Sequence, residues 1–162
     1  MKVKLDRILK LGDQRLYDRS EEISPGEIDG LRKDIDLLFE LIFEFRRAYG
    51  EGRGIAAPQI GLMKRIFCLY LDDKRHVIIN PVLKDLSEEL MEVWDYCMCF
   101  PVLMLKVFRH RSCLLTYRDE NWEEHTWELE GDLSQLIQHE YDHLDGILAT
   151  QRVIDNKSIK LR

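Results

Sequence analysis

No stretch of this 162-residue sequence approaches the roughly 18 consecutive apolar residues that a membrane-spanning helix needs, so no membrane contact is expected. The opening residues, Met1-Lys2-Val3-Lys4-Leu5-Asp6-Arg7, alternate charge with apolar side chains and lack the apolar core of a secretory signal. Cysteine is scarce: Cys68, Cys97, Cys99 and Cys113 are the only four. Without a signal, those thiols are expected to stay reduced or to hold metal, and the expected compartment is the cytoplasm. Excess base is lacking too. Lysine and arginine number 24 against 30 acidic residues, and a net charge of −6 excludes a basic nucleic-acid footprint. There is no internal repeat, linker or low-complexity run. What remains is 45% hydrophobic and 33% charged, the balance of one folded domain spanning 1–162 that can bury a core without staples.

The hydrophobic pattern divides that domain into elements. Ser24-Pro25-Gly26-Glu27 reads as a helix start, with Ser24 as N-cap and Glu27 reaching back to it. Ile28, Leu31, Ile35, Leu38, Ile42 and Phe45 then recur at steps of three and four, which predicts one long N-terminal helix ending at Gly50. Strands are predicted over 66–71, 77–79, 93–100, 112–117 and 125–129, with Asp119-Glu120-Asn121 turning the last two into a hairpin. Gly131-Asp132 opens a second helix through Asp145, with Asp132 as N-cap and Gln135 as its capping-box partner. The order predicts an α+β fold, with mainly antiparallel sheets packed around that second helix.

The second helix carries His139-Glu140-Tyr141-Asp142-His143, an H-E-x-x-H pattern. Residues four apart share a helix face, so both imidazoles can reach one ion while Glu140 stands beside it as general base. A catalytic ion of this kind takes three protein ligands and a water. No His or Glu follows His143, so the third ligand must lie upstream. The candidates are His76, His110, His125 and the four cysteines. Gly52-Arg53-Gly54-Ile55-Ala56-Ala57 also fits a dinucleotide-binding fingerprint, but a helix rather than a strand precedes it and Pro58 interrupts the helix that should follow.

Three segments together resemble the peptide deformylases, which remove the formyl group from the first methionine of nascent bacterial and organellar proteins. Gly52-Arg53-Gly54-Ile55-Ala56-Ala57-Pro58-Gln59 matches that family's G-x-G-x-A-A-x-Q, and Gln138 to Gly146 matches Q-H-E-x-D-H-L-x-G. Asp95-Tyr96-Cys97-Met98-Cys99 keeps only the cysteine of E-G-C-L-S. The resemblance, running from Ile8 to near Val153, implies a metal set of Cys97, His139 and His143; spacing by itself does not choose between Cys97 and Cys99. It implies one divalent ion, ferrous iron in preference to zinc, nickel or cobalt, acting with Glu140. Gln59 and the backbone N–H of Met98 would donate to the oxyanion, and Gly54 would leave room for the extended peptide. The implied partners are an N-formylated peptide and the ribosome.

The departures cluster where such a family grips its substrate. Arg53, Asp132 and Gln135 stand where apolar residues line the methionine pocket, and Tyr96 replaces a glycine lying alongside the peptide. A buried Arg53 would need Asp132 or Asp95 as partner. The same fold acting on another N-formyl or N-acyl amine, or a non-catalytic metal-binding descendant, are the alternatives at this stage. A binding module needs neither a general base nor an oxyanion donor.

Overall fold

A computed structural model describes residues 5–162. Its elements in chain order are α1 (Ile28–Tyr49), β1 (Gly54–Ala56), β2 (Ile66–Leu71), β3 (Lys74–Lys84), β4 (Leu90–Asp95), β5 (Leu103–His110), β6 (Ser112–Arg118), β7 (Glu124–Glu130), α2 (Gly131–Leu144) and β8 (Ile159–Leu161). All strand pairs are antiparallel. They form a five-stranded sheet ordered β1-β2-β3-β6-β7 and a three-stranded sheet ordered β4-β5-β8. The predicted α+β class, with its long first helix and a second helix at the centre, is what the chain adopts.

The apolar run Ile66-Phe67-Cys68-Leu69 has a simple cause. Side chains alternate across a strand, and both faces of β2 are covered. Ile66 and Cys68 pack into the cluster that holds the α1 residues Ile35, Leu38, Ile42 and Phe45, while Phe67 and Leu69 join Ile137 and Leu144 of α2 on the opposite face. Helix α2 also touches β5 of the smaller sheet, so it lies where the two sheets meet. The Ser24–Glu27 cap forms as expected: the Glu27 carboxylate accepts from the Ser24 N–H at 2.8 Å and from its hydroxyl at 2.9 Å. Gly50 closes α1 in the left-handed region, and its N–H reaches Arg46 O at 2.8 Å.

Two local expectations are corrected. The strand expected over 93–100 stops at Asp95; Tyr96 to Phe100 form a turn closed by the Phe100 N–H on Cys97 O at 3.1 Å, and the partner strand is β5. Asp132 is not the N-cap of α2. Glu130 holds that position with extended backbone and no side-chain cap bond, and Gly131 begins the helix. Asp132 and Gln135 therefore form no capping box, because the Asp132 carboxylate is drawn across to Arg53. All four cysteines are free and buried. No helix among the described residues is long and apolar enough to cross a membrane.

Candidate active site

One turn of α2 and the turn after β4 face each other. Between them the sulfur of Cys97 and one ring nitrogen each of His139 and His143 lie within 4.8 Å of one another, with Cys97 Sγ 3.3 Å from His143 Nε2. The three residues are buried. Burial pushes the Cys97 thiol well up, so a thiolate there needs a cation beside it, and two imidazoles with one sulfur suit a tetrahedral divalent ion. His139 gives its Nδ1 to Asp95 Oδ2 at 2.9 Å, which leaves Nε2 for the ion. The residues present thus fit the metal that the motif implies.

Around this group runs an ionic network, buried at Asp95, Arg109 and Asp142 and exposed at Arg152, that the sequence did not disclose. Asp95 also accepts from Arg109 at 2.9 Å, Arg109 reaches Asp142 at 2.6 Å, and Asp142 accepts twice from Arg152, at 2.6 and 2.7 Å. Burial disfavours a charged His139, but the charge and hydrogen bond of Asp95 outweigh it and lift its pKa to about 9. His143 lacks such a partner; burial and the neighbouring His139 push it well below the usual histidine range. Asp142 stood in view within the H-E-x-x-H segment, yet its buried partner Arg109 is 33 residues away.

Glu140 is 3% exposed and its Oε2 has no hydrogen-bond partner among the described residues. Burial raises its carboxyl to about 7. A divalent cation in the site would oppose both this shift and that of His139. Gly54 borders the carboxylate directly: a Cβ there would lie 2.8 Å from Glu140 Oε1. Across the cleft, the Gln59 side chain is oriented by the Ala56 N–H, which donates to its Oε1 at 2.8 Å. Its Nε2 therefore points inward, 3.6 Å from Cys97 Sγ and 3.4 Å from Cys99 Sγ. Gln138, between the two sheets, ties α2 to the end of β5 by accepting from the His110 N–H at 3.0 Å and donating to His110 O at 2.8 Å.

Arg53, Tyr96, Met98 and Gln135 line the same cleft, and so does Leu136, which the sequence reading passed over. Asp132 lies further out, in a groove that continues past Trp94. Of the two partners considered for Arg53, it takes Asp132. The guanidinium holds the carboxylate through two hydrogen bonds, one of them 3.0 Å, and the pair is exposed rather than buried.

A cysteine and two histidines that fit an ion, a buried carboxylate beside them and an amide donor opposite define a metal-dependent hydrolase. The profile of the polypeptide deformylase family matches residues 5–158, and the chain belongs to that family. A peptide deformylase of Leptospira biflexa is 34% identical over 96% of this chain and 89% of its own length. Among solved structures, a peptide deformylase from Synechococcus elongatus in complex with actinonin superposes with a TM-score of 0.85 at 30% identity, over 93% of this chain and 80% of its own. That of Thermotoga maritima gives 0.83 at 28% identity, over 91% and 97%.

Proposed function

We propose that the protein hydrolyses the N-formyl group of N-formylmethionyl peptides, releasing formate, with Cys97, His139 and His143 holding one divalent ion. The observation that carries this is the unpartnered, buried Glu140 carboxylate beside a cysteine and two histidines that can meet at one ion. The ion, when bound, lowers the pKa of water and polarises the formyl oxygen. Glu140 takes the proton of the attacking water and returns it to the leaving amine nitrogen, a role suited to a buried carboxyl whose Oε2 has no other partner among the described residues. Gln59 Nε2, pre-aimed by the Ala56 N–H, donates to the oxygen on which charge develops, together with the Met98 N–H. Gly54 keeps the space beside Glu140 free of a side chain.

By family resemblance the ion is ferrous iron. A nascent chain as substrate puts the work in the cytoplasm beside the ribosome, within one catalytic domain. The test is formate release from formyl-Met-Ala-Ser by protein loaded anaerobically with Fe²⁺, or with Ni²⁺ or Co²⁺ in air. Turnover that is lost in Glu140→Gln, with metal content retained, is the expected result. A loaded protein that releases no formate overturns the reading.

A further inference from the structure

The cleft beside Glu140 extends outward beyond the metal ligands. Its walls are Arg53, Tyr96 and Gln135, and Met98 and Leu136 supply its apolar lining. The side chain of a formylated residue branches at Cα, so its first atom lies two bonds from the nitrogen that carries the formyl group. With the formyl carbon at Glu140, this cleft lies within reach of that side chain.

Two of the fixed charges around it are already matched by ion pairing, and a third, Arg46, is held on a backbone carbonyl. Arg53 holds Asp132, and Arg162 closes on Glu51 while lying 4.8 Å above the Tyr96 ring. Arg46 donates twice to Gly52 O, at 2.7 and 3.1 Å. Gln135 differs. It is half-buried in the wall, and its amide reaches only Trp94 O, at 3.5 Å, with no other partner among the described residues.

We propose that Arg53, Asp132 and Gln135 set the first-residue preference of this enzyme, and that it extends from methionine to unbranched, neutral side chains ending in a hydrogen-bonding group. Such groups are the amide of glutamine and the sulfoxide of oxidised methionine. The inference rests on the deformylase reading above. An apolar side chain that fills the cleft desolvates the Gln135 amide and leaves its oxygen and second N–H without partners, which works against it. A neutral polar end completes that amide's bonds. A charged end costs a desolvation that a neutral end does not: Asp132 and Glu51 are already paired against a cation, and Arg46, which has no carboxylate partner among the described residues, is held on Gly52 O against an anion.

The test compares kcat/KM for formyl-Met, formyl-Gln, formyl-Met-sulfoxide, formyl-Glu and formyl-Lys peptides of otherwise identical sequence, on the metal-loaded protein. The glutamine and sulfoxide peptides should fall within about 10-fold of methionine, and both charged peptides should be at least about 10-fold poorer than glutamine. In the double variant R53I/Q135I the methionine-over-glutamine ratio should rise by about 10-fold or more. The variant is expected to fold, since the partner it strands, Asp132, is 70% exposed. A wild-type ratio above about 100, or a ratio that the variant does not move, overturns the proposal. Calorimetric binding of the deformylated Met-Ala-Ser and Gln-Ala-Ser peptides reads the same preference without turnover. Absence of formate from every peptide would sink the deformylase reading alone, while a calorimetric preference for methionine above about 100-fold would sink this one.

Discussion

A methyl group on Gly54 would lie 2.8 Å from Glu140 Oε1 and 2.9 Å from Leu69 Cδ2. Both are ends of flexible side chains, so the backbone can stay and the carboxylate must move. Displacing a general base by about 1 Å costs on the order of 100-fold in rate. Gly54→Ala should therefore lose about 10- to 100-fold in kcat while keeping its ion and nearly all its stability, read by formate release, metal analysis and thermal melting together. Asp95 acts at one remove. Its carboxylate fixes the His139 ring through Nδ1, and partners of this kind change metal affinity by about 10- to 100-fold when removed. Asp95→Asn should show that weakening in chelator competition. Asp142 still faces Arg109 at 2.6 Å, so the buried guanidinium keeps a counter-ion in the variant. Unchanged affinity would mean that the His139 ring is held by packing alone.

Helix α2 is fixed at its C-terminal end by Gly146, which has φ of +71° and sits against the backbone of Tyr17. An added Cβ would run into the Tyr17 carbonyl, and neither backbone can yield cheaply. Strain in φ and the clash act together, so Gly146→Ala should destabilise the fold by about 2 kcal/mol or more in urea denaturation. Elements such as α1, β6 and β7 were legible because their burial follows one period from end to end, and β2 because it is an unbroken apolar run buried on both faces. Strand β5 was not, because its polarity runs against its burial: Phe108 is 48% exposed while Arg109 is 3% exposed. Arg109 faces inward to meet Asp95 and Asp142, partners 14 and 33 residues away that no local pattern connects to it. The misread start of α2 has the same origin. Asp132 suits an N-cap by local rules, and Arg53, 79 residues upstream, outbids the helix for its carboxylate. The H-E-x-x-H face needed only one helix to be seen, whereas the third ligand needed the turn after β4 folded against it.

That arrangement joins the parts of the molecule through the metal set. His139 and His143 belong to α2, which packs on the five-stranded sheet, whereas Cys97 follows β4 of the three-stranded sheet. An ion held by all three ties the sheets together across α2, and an ion that binds only the folded chain stabilises it by mass action. At free metal about 100-fold above its dissociation constant, the gain is about 2.7 kcal/mol. For a chain of this size that corresponds to roughly 5–10 °C in Tm. Chelation should lower Tm by that amount, and added Ni²⁺ or Co²⁺ should restore it. The same melts decide between the two neighbouring thiols. Cys99 lies outside the converging ligand atoms, and its sulfur accepts from Gln59 Nε2 at 3.4 Å. Cys99→Ser should therefore keep the metal-dependent rise, because a hydroxyl accepts that bond as well. Cys97→Ser should abolish the rise, its Tm becoming indifferent to chelator and metal alike. The reverse pattern would transfer the ligand role to Cys99. A wild-type Tm that ignores metal would mean that packing alone, without the ion, holds the two sheets against α2.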